Sequence, residues 1–138
     1  MQLDRPDVTE SAYSVEAGHF QVESDLFKMV RNKSEDLSHT EMGYNVANLK
    51  LGLTERLDVQ LVVATFVSRK TKEITSNKII HKANGFDDIT LRFKYNFWGN
   101  EGGKTALGAL PYISFPTSTI DDNDHQFGVI FPFALELN

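Results

Sequence analysis

The stretch Asp88-Ile89-Thr90-Leu91-Arg92-Phe93-Lys94-Tyr95-Asn96-Phe97-Trp98 decides the fold. Ile89, Leu91, Phe93, Tyr95 and Phe97 share one parity; Asp88, Thr90, Arg92, Lys94 and Asn96 share the other. Successive side chains of a strand point to opposite faces, so this alternation specifies a β-strand with one apolar and one wet side. A helix would need apolar residues three and four apart.

Five further stretches read the same way. Residues 19–30 place Phe20, Val22, Leu26 and Val30 opposite His19, Gln21, Glu23 and Asp25. In residues 41–53 the phase changes: Met42, Tyr44 and Val46 sit on one parity and Leu49, Leu51 and Leu53 on the other. A β-bulge near Ala47, or a strand boundary displaced by one or two residues, accounts for that. Residues 58–67 put Val59, Leu61, Val63 and Val67 opposite Gln60, Val62, Ala64 and Phe66. Residues 105–115 and 126–137 complete the set, each interrupted by a proline, Pro111 and Pro132, tolerated mainly at edges or bulges. The expectation is an all-β antiparallel meander of about six strands, with the first and sixth as open edges.

The links sort by length. Short ones fall at Thr54-Glu55-Arg56 and at Gly99-Asn100-Glu101-Gly102-Gly103, and longer polar ones at 31–40, 68–87 and 116–125. Alternating short and long connections characterise an up-and-down transmembrane β-barrel. Composition permits this. Of 138 residues, 41% are hydrophobic and 24% charged, and no run approaches the ~18 apolar residues of a transmembrane helix. A transmembrane strand spends only every second residue on lipid. There is no cysteine, which removes disulfides and a Cys nucleophile. The net charge of −5 argues against nucleic acid as a partner.

Four segments carry a resemblance: Asp4-Arg5-Pro6-Asp7-Val8-Thr9-Glu10-Ser11, Val15-Glu16-Ala17-Gly18-His19-Phe20-Gln21-Val22-Glu23, Leu51-Gly52-Leu53-Thr54-Glu55-Arg56-Leu57-Asp58-Val59, and Phe86-Asp87-Asp88-Ile89-Thr90-Leu91-Arg92-Phe93-Lys94-Tyr95. Their order closely resembles a bacterial family labelled MetA-pathway of phenol degradation, whose members are often called transporters. The resemblance covers nearly the whole chain. It implies a bacterial outer-membrane β-barrel and a channel for small organic compounds, aromatic or hydrophobic ones included. Members of that family are longer. Six strands are also fewer than the ~8 at which barrels close, and the chain ends Leu137-Asn138 rather than on an aromatic residue. The expectation is the first part of a longer barrel: residues 1–17 an extended periplasmic lead-in, residues 18–138 the barrel portion.

In a barrel the polar parity faces the lumen, which makes Glu23, Lys50, Arg92, Lys94 and Glu136 candidate lumen-facing residues. The plainer alternative is that they pair with one another and keep the interior hydrated. Tyr95, Phe97 and Trp98, just before a short turn, are candidates for the periplasmic aromatic girdle; in a soluble sheet they would be core. Leu91, Phe93, Tyr95 and Phe97 are then expected to face lipid, with Arg92 and Lys94 on the concave side.

No catalytic, cofactor or metal site is expected, and the chain does not read as an enzyme. His19, His39, His81 and His125 have no ligand spacing. Asp121, Asp122 and Asp124 form an acidic loop without the bidentate Glu of a calcium loop. No nucleophile elbow or phosphate loop appears. The implied partners are outer-membrane lipid and a small organic solute. A soluble β-sandwich or lipocalin-like binding module is the competing reading, because its strands alternate in the same way.

Overall fold

The computed structural model describes residues 10–120 and 124–137, and these form one antiparallel sheet. Asp121 and Asp122 of the acidic loop, and the opening of the family-like segment, lie outside them. Eight strands are present: β1 (Phe20–Lys33), β2 (Leu37–Thr54), β3 (Leu57–Glu73), β4 (Ile79–Gly85), β5 (Ile89–Trp98), β6 (Thr105–Phe115), β7 (Gln126–Ile130) and β8 (Phe133–Leu135). The spatial order is β1-β2-β3-β5-β6-β7. β4 pairs only with β3, and β8 continues alongside β6. The sheet is not closed; β1 is one edge, and β7 with β8 is the other.

The register stacks like upon like. One row across the sheet reads Val22, Leu49, Leu61, Leu91, Ile113, Phe127. The adjacent row reads Gln21, Lys50, Gln60, Arg92, Tyr112, Gly128. The burial of these rows is the reverse of a water-soluble sheet. Lys50, Lys94, Asp58 and Gln60 are at most 2% exposed, whereas Phe93, Tyr95 and Phe97 are each 43% exposed. Polar groups occupy the inside of the curve, and the apolar face looks out.

The expected phase change in β2 is present but sits at Asn45, two residues from the predicted bulge at Ala47. It also runs through three strands. Below it Asp25, Val46 and Ala64 pair in line, and above it Phe27, Tyr44 and Phe66 do. The pairs around Leu26, Asn45 and Thr65 are skipped without any loss of register. The inward parity is odd in β1 below this level and even above it, so Lys28 and Val30 join Glu41, Gly43, Val67 and Arg69 around one hollow. Val67 therefore turns inward and Phe66 outward, opposite to the uninterrupted alternation read from residues 58–67. On the outside, Phe27, Tyr44 and Phe66 form an aromatic row with centroids 5.3 and 5.9 Å apart.

Asn45 adopts a φ of 50°, the left-handed region that costs most residues about 1–2 kcal/mol and that Asn tolerates best after Gly. Its side-chain oxygen accepts from Ser24 Oγ at 3.0 Å. Asn45→Val is expected to lower the unfolding free energy by about 1–2 kcal/mol and Asn45→Gly to change it little. Urea unfolding in detergent micelles, followed by tryptophan fluorescence, reads the difference.

The sequence predicts long loops at 31–40 and 68–87. Instead, β1 and β2 run on to a tight turn at Ser34–Asp36, and β3 runs on to Glu73, where β4 folds back on it. Beyond the aromatic row both faces of these hairpins carry polar residues, so period-two polarity vanishes although the strands continue. The predicted sixth strand is divided at Phe131–Pro132, where proline has no N–H to give to the ladder. The Pro132 carbonyl accepts from Gly108 N at 3.0 Å, which keeps the bulge attached to β6.

Candidate functional site: the polar concave face

Alternate positions of β1, β2, β3 and β5 deliver a continuous polar surface to the inside. Gln21 Nε2 donates to Glu23 Oε1 at 2.5 Å, and Lys50 Nζ lies 3.0 Å from the same oxygen. Asn48 donates to Gln60 at 3.2 Å, and Gln60 donates to Asp58 at 2.9 Å. Asp58 also feels the charges of Lys94 and Lys50. Thr90 and Ser114 hydroxyls meet at 2.9 Å. Burial of charges on this scale is tolerated only where partners and hydrogen bonds compensate for lost hydration. The face is accordingly a network rather than a set of isolated charges.

The chain before β1 lies on this face. Arg92 Nη1 donates to Glu10 at 2.6 Å, and Asn96 Nδ2 donates to the Ala12 carbonyl at 2.8 Å. Ser14 N donates to Asn100 Oδ1 at 3.1 Å, and Val15 N to Asp58 Oδ2 at 2.8 Å. Gly18 and His19 then enter the β2 ladder beside Gly52. A hollow of about 730 Å³ remains between this segment and the wall, with Tyr13, Ser14 and Glu16 on one side and Gln21, Lys50 and Lys94 on the other. A second hollow, of about 320 Å³, lies towards the long hairpins. There Arg69 reaches Glu41 at 2.9 Å and Asp87 at 3.1 Å.

The structure thus brings Glu23, Lys50, Arg92 and Lys94 onto one surface. Glu136 stands apart, exposed just beyond β8, with its backbone N bonded to the Lys104 carbonyl at 2.8 Å. Tyr95 and Phe97 face outward in edge contact at 5.4 Å, and the Trp98 indole donates to Thr105 at 3.3 Å. The histidines are scattered: His19 lies near Glu16, His39 contacts Thr71, and His125 meets the Phe115 ring edge-on. Among the described residues no three His, Asp or Glu side chains are placed to hold a metal ion.

Asp58, Gln60, Asn48 and Asn96 are members of the network that the candidate set omits. Each lies on the inward parity of its strand, so the alternation itself was a sufficient signal for them. Nothing in residues 10–18 announces that they fold onto the wall.

The family model described as "Putative MetA-pathway of phenol degradation" matches residues 3–137. The chain belongs to this family. No curated protein and no solved structure matches it. Two of the segments that carry the resemblance to the MetA-pathway family have a clear place in the sheet. The Leu51–Val59 segment is the β2–β3 hairpin end, and the Phe86–Tyr95 segment enters and forms most of β5. Both build the polar face.

Proposed function

We propose that the chain forms part of the wall of a bacterial outer-membrane β-barrel, whose lumen passes small organic compounds. The observation that carries this is the reversed polarity of the sheet together with the height of its apolar side. Leu57, paired with the girdle residue Tyr95, and Phe66, in the opposite aromatic row, are nine residues apart along β3. At ~3.3 Å per residue and a tilt of 35–45°, that spacing spans roughly 21–24 Å of membrane normal, close to the ~25 Å apolar band of such barrels. Outward positions between these levels, such as Leu49, Leu51, Val59, Leu61, Leu91 and Phe93, carry no charge. On the described strands charges return to the outward parity above the band, at Arg31, Lys33, Lys70 and Lys72.

A soluble sandwich or lipocalin-like module would turn its apolar face inward, and the sheet's curvature speaks against that alternative. The free edges at β1 and β7 are suited to pairing with further strands. The solute class follows from the family's association with phenol degradation and from a lumen of mixed charges and amides, which favours weak rather than tight selection.

Phe93→Cys and Arg92→Cys, made in this cysteine-free chain, test the orientation in native membranes. Position 93 is expected to react with a lipid-soluble thiol reagent and position 92 with a water-soluble one. The reverse pattern would invert the sheet, and no reaction with the lipid-soluble reagent at either position would end the membrane reading.

A further inference from the structure

Residues 10–18 cross the polar face from β6 to β2, near the end that carries the short turns. Their contacts fall on successive strands. Ala12 lies over Gly108 of β6, Glu10 and Ala12 are held by Arg92 and Asn96 of β5, Val15 by Asp58 of β3, and Gly18 by Gly52 of β2. Two glycines mark this crossing as built into the wall. A Cβ on Gly52 would collide with the Glu16 carbonyl and come 2.7 Å from the Val15 oxygen. One on Gly108 would stand 3.0 Å from the Ala12 oxygen. Neither glycine is at positive φ, so their own backbones do not require glycine. What requires it is another backbone passing within contact distance.

We infer that residues 10–18 are the constriction of the pore: a resident strap that narrows the lumen at its short-turn end and sets the size of solute that passes. This rests on the channel reading above. The strap's side chains have the character of a filter. Tyr13, Ser14 and Glu16 face Gln21, Lys50 and Lys94 across the remaining hollow, so a solute meets the Tyr13 ring, several hydrogen-bonding groups and both signs of charge. The wall side of the strap is held by backbone groups bonded to Asp58 and Asn96. Glu10 and Ser14 add side-chain anchors, accepting from Arg92 and Asn100, while Tyr13 and Glu16 line the hollow.

The test is single-channel conductance of the intact protein in planar bilayers. Gly52→Leu evicts the strap at Glu16 without demanding a new backbone conformation in β2. Conductance is expected to rise by about two-fold or more, because the narrowest section limits ion flow. Larger uncharged polymers should then enter the pore. Ser14→Cys gives an independent reading: attaching a bulky, negatively charged thiol reagent should cut conductance by roughly half or more. If Gly52→Leu fails to insert, the Ser14→Cys result decides. Wild-type channels that neither change affects, with modification verified by mass, overturn the strap and leave the channel standing. A wild-type protein that forms no channel overturns both.

Discussion

Leu61→Arg is expected to destabilise the folded protein in a bilayer by about 2–4 kcal/mol, the cost of an arginine on the lipid face at mid-depth. Leu61 lies in the uniformly apolar row from Val22 to Phe127, roughly midway between the Tyr95 level and the Phe66 level. The same substitution separates the two readings of the fold sharply. Leu61 is 37% exposed. In a water-soluble protein an arginine there would simply extend into solvent, and surface changes of that kind stay within about ±0.5 kcal/mol. Depth supplies the control. Ser68 shares the outward parity but lies above the aromatic row, next to the native Lys70. Ser68→Arg should cost no more than about 1 kcal/mol, since the penalty fades towards the interface. Denaturant titration of protein folded into lipid vesicles measures both. Equal, small effects at the two positions would contradict a membrane around this sheet.

The contrast between those two positions also explains what the sequence discloses. Residues 88–98 read cleanly because apolar and polar positions alternate at every step, and β5 is found at Ile89–Trp98. Beyond Phe27, Tyr44 and Phe66 both faces carry polar residues. Strand residues such as Arg31, His39, Lys70 and Lys82 then lose the alternation that betrays a strand and resemble loop. The turnover at Asn45 is half visible, since the apolar parity changes within β2, but its exact site depends on a left-handed residue that polarity does not encode. Which face is concave is not contained in the alternation at all, because lipid and protein core are alike apolar. Orientation emerges only from burial: Lys94 inside, Phe93 outside. The strap is invisible for a related reason. Its attachments are largely backbone to side chain across 43 to 86 residues of sequence, and only the glycines at positions 52 and 108 hint that something passes over the wall.

Lys50→Met is expected to cost about 3 kcal/mol or more, which is what removal of one member of a buried pair typically costs. The side chains of Lys50 and Glu23 are 2% and 3% exposed and 3.0 Å apart. Loss of the ammonium leaves the Glu23 carboxylate under cover with its charge less compensated, and weakens the field that Lys50 also exerts on Asp58. Most of the penalty is thus the cost of a stranded charge rather than the worth of the contact. That distinction is testable, because removing the second charge should relieve it. Glu23→Gln/Lys50→Met keeps an oxygen that Gln21 can still donate to and strands no carboxylate at position 23. The double variant should therefore be more stable than Lys50→Met alone, with a coupling of about 0.5–3 kcal/mol in the cycle. Unfolding midpoints of the four proteins in one detergent give this number directly. Were Lys50→Met neutral and the coupling zero, water in the lumen would be screening the pair. The polar face would then be a hydrated lining and not a structural network.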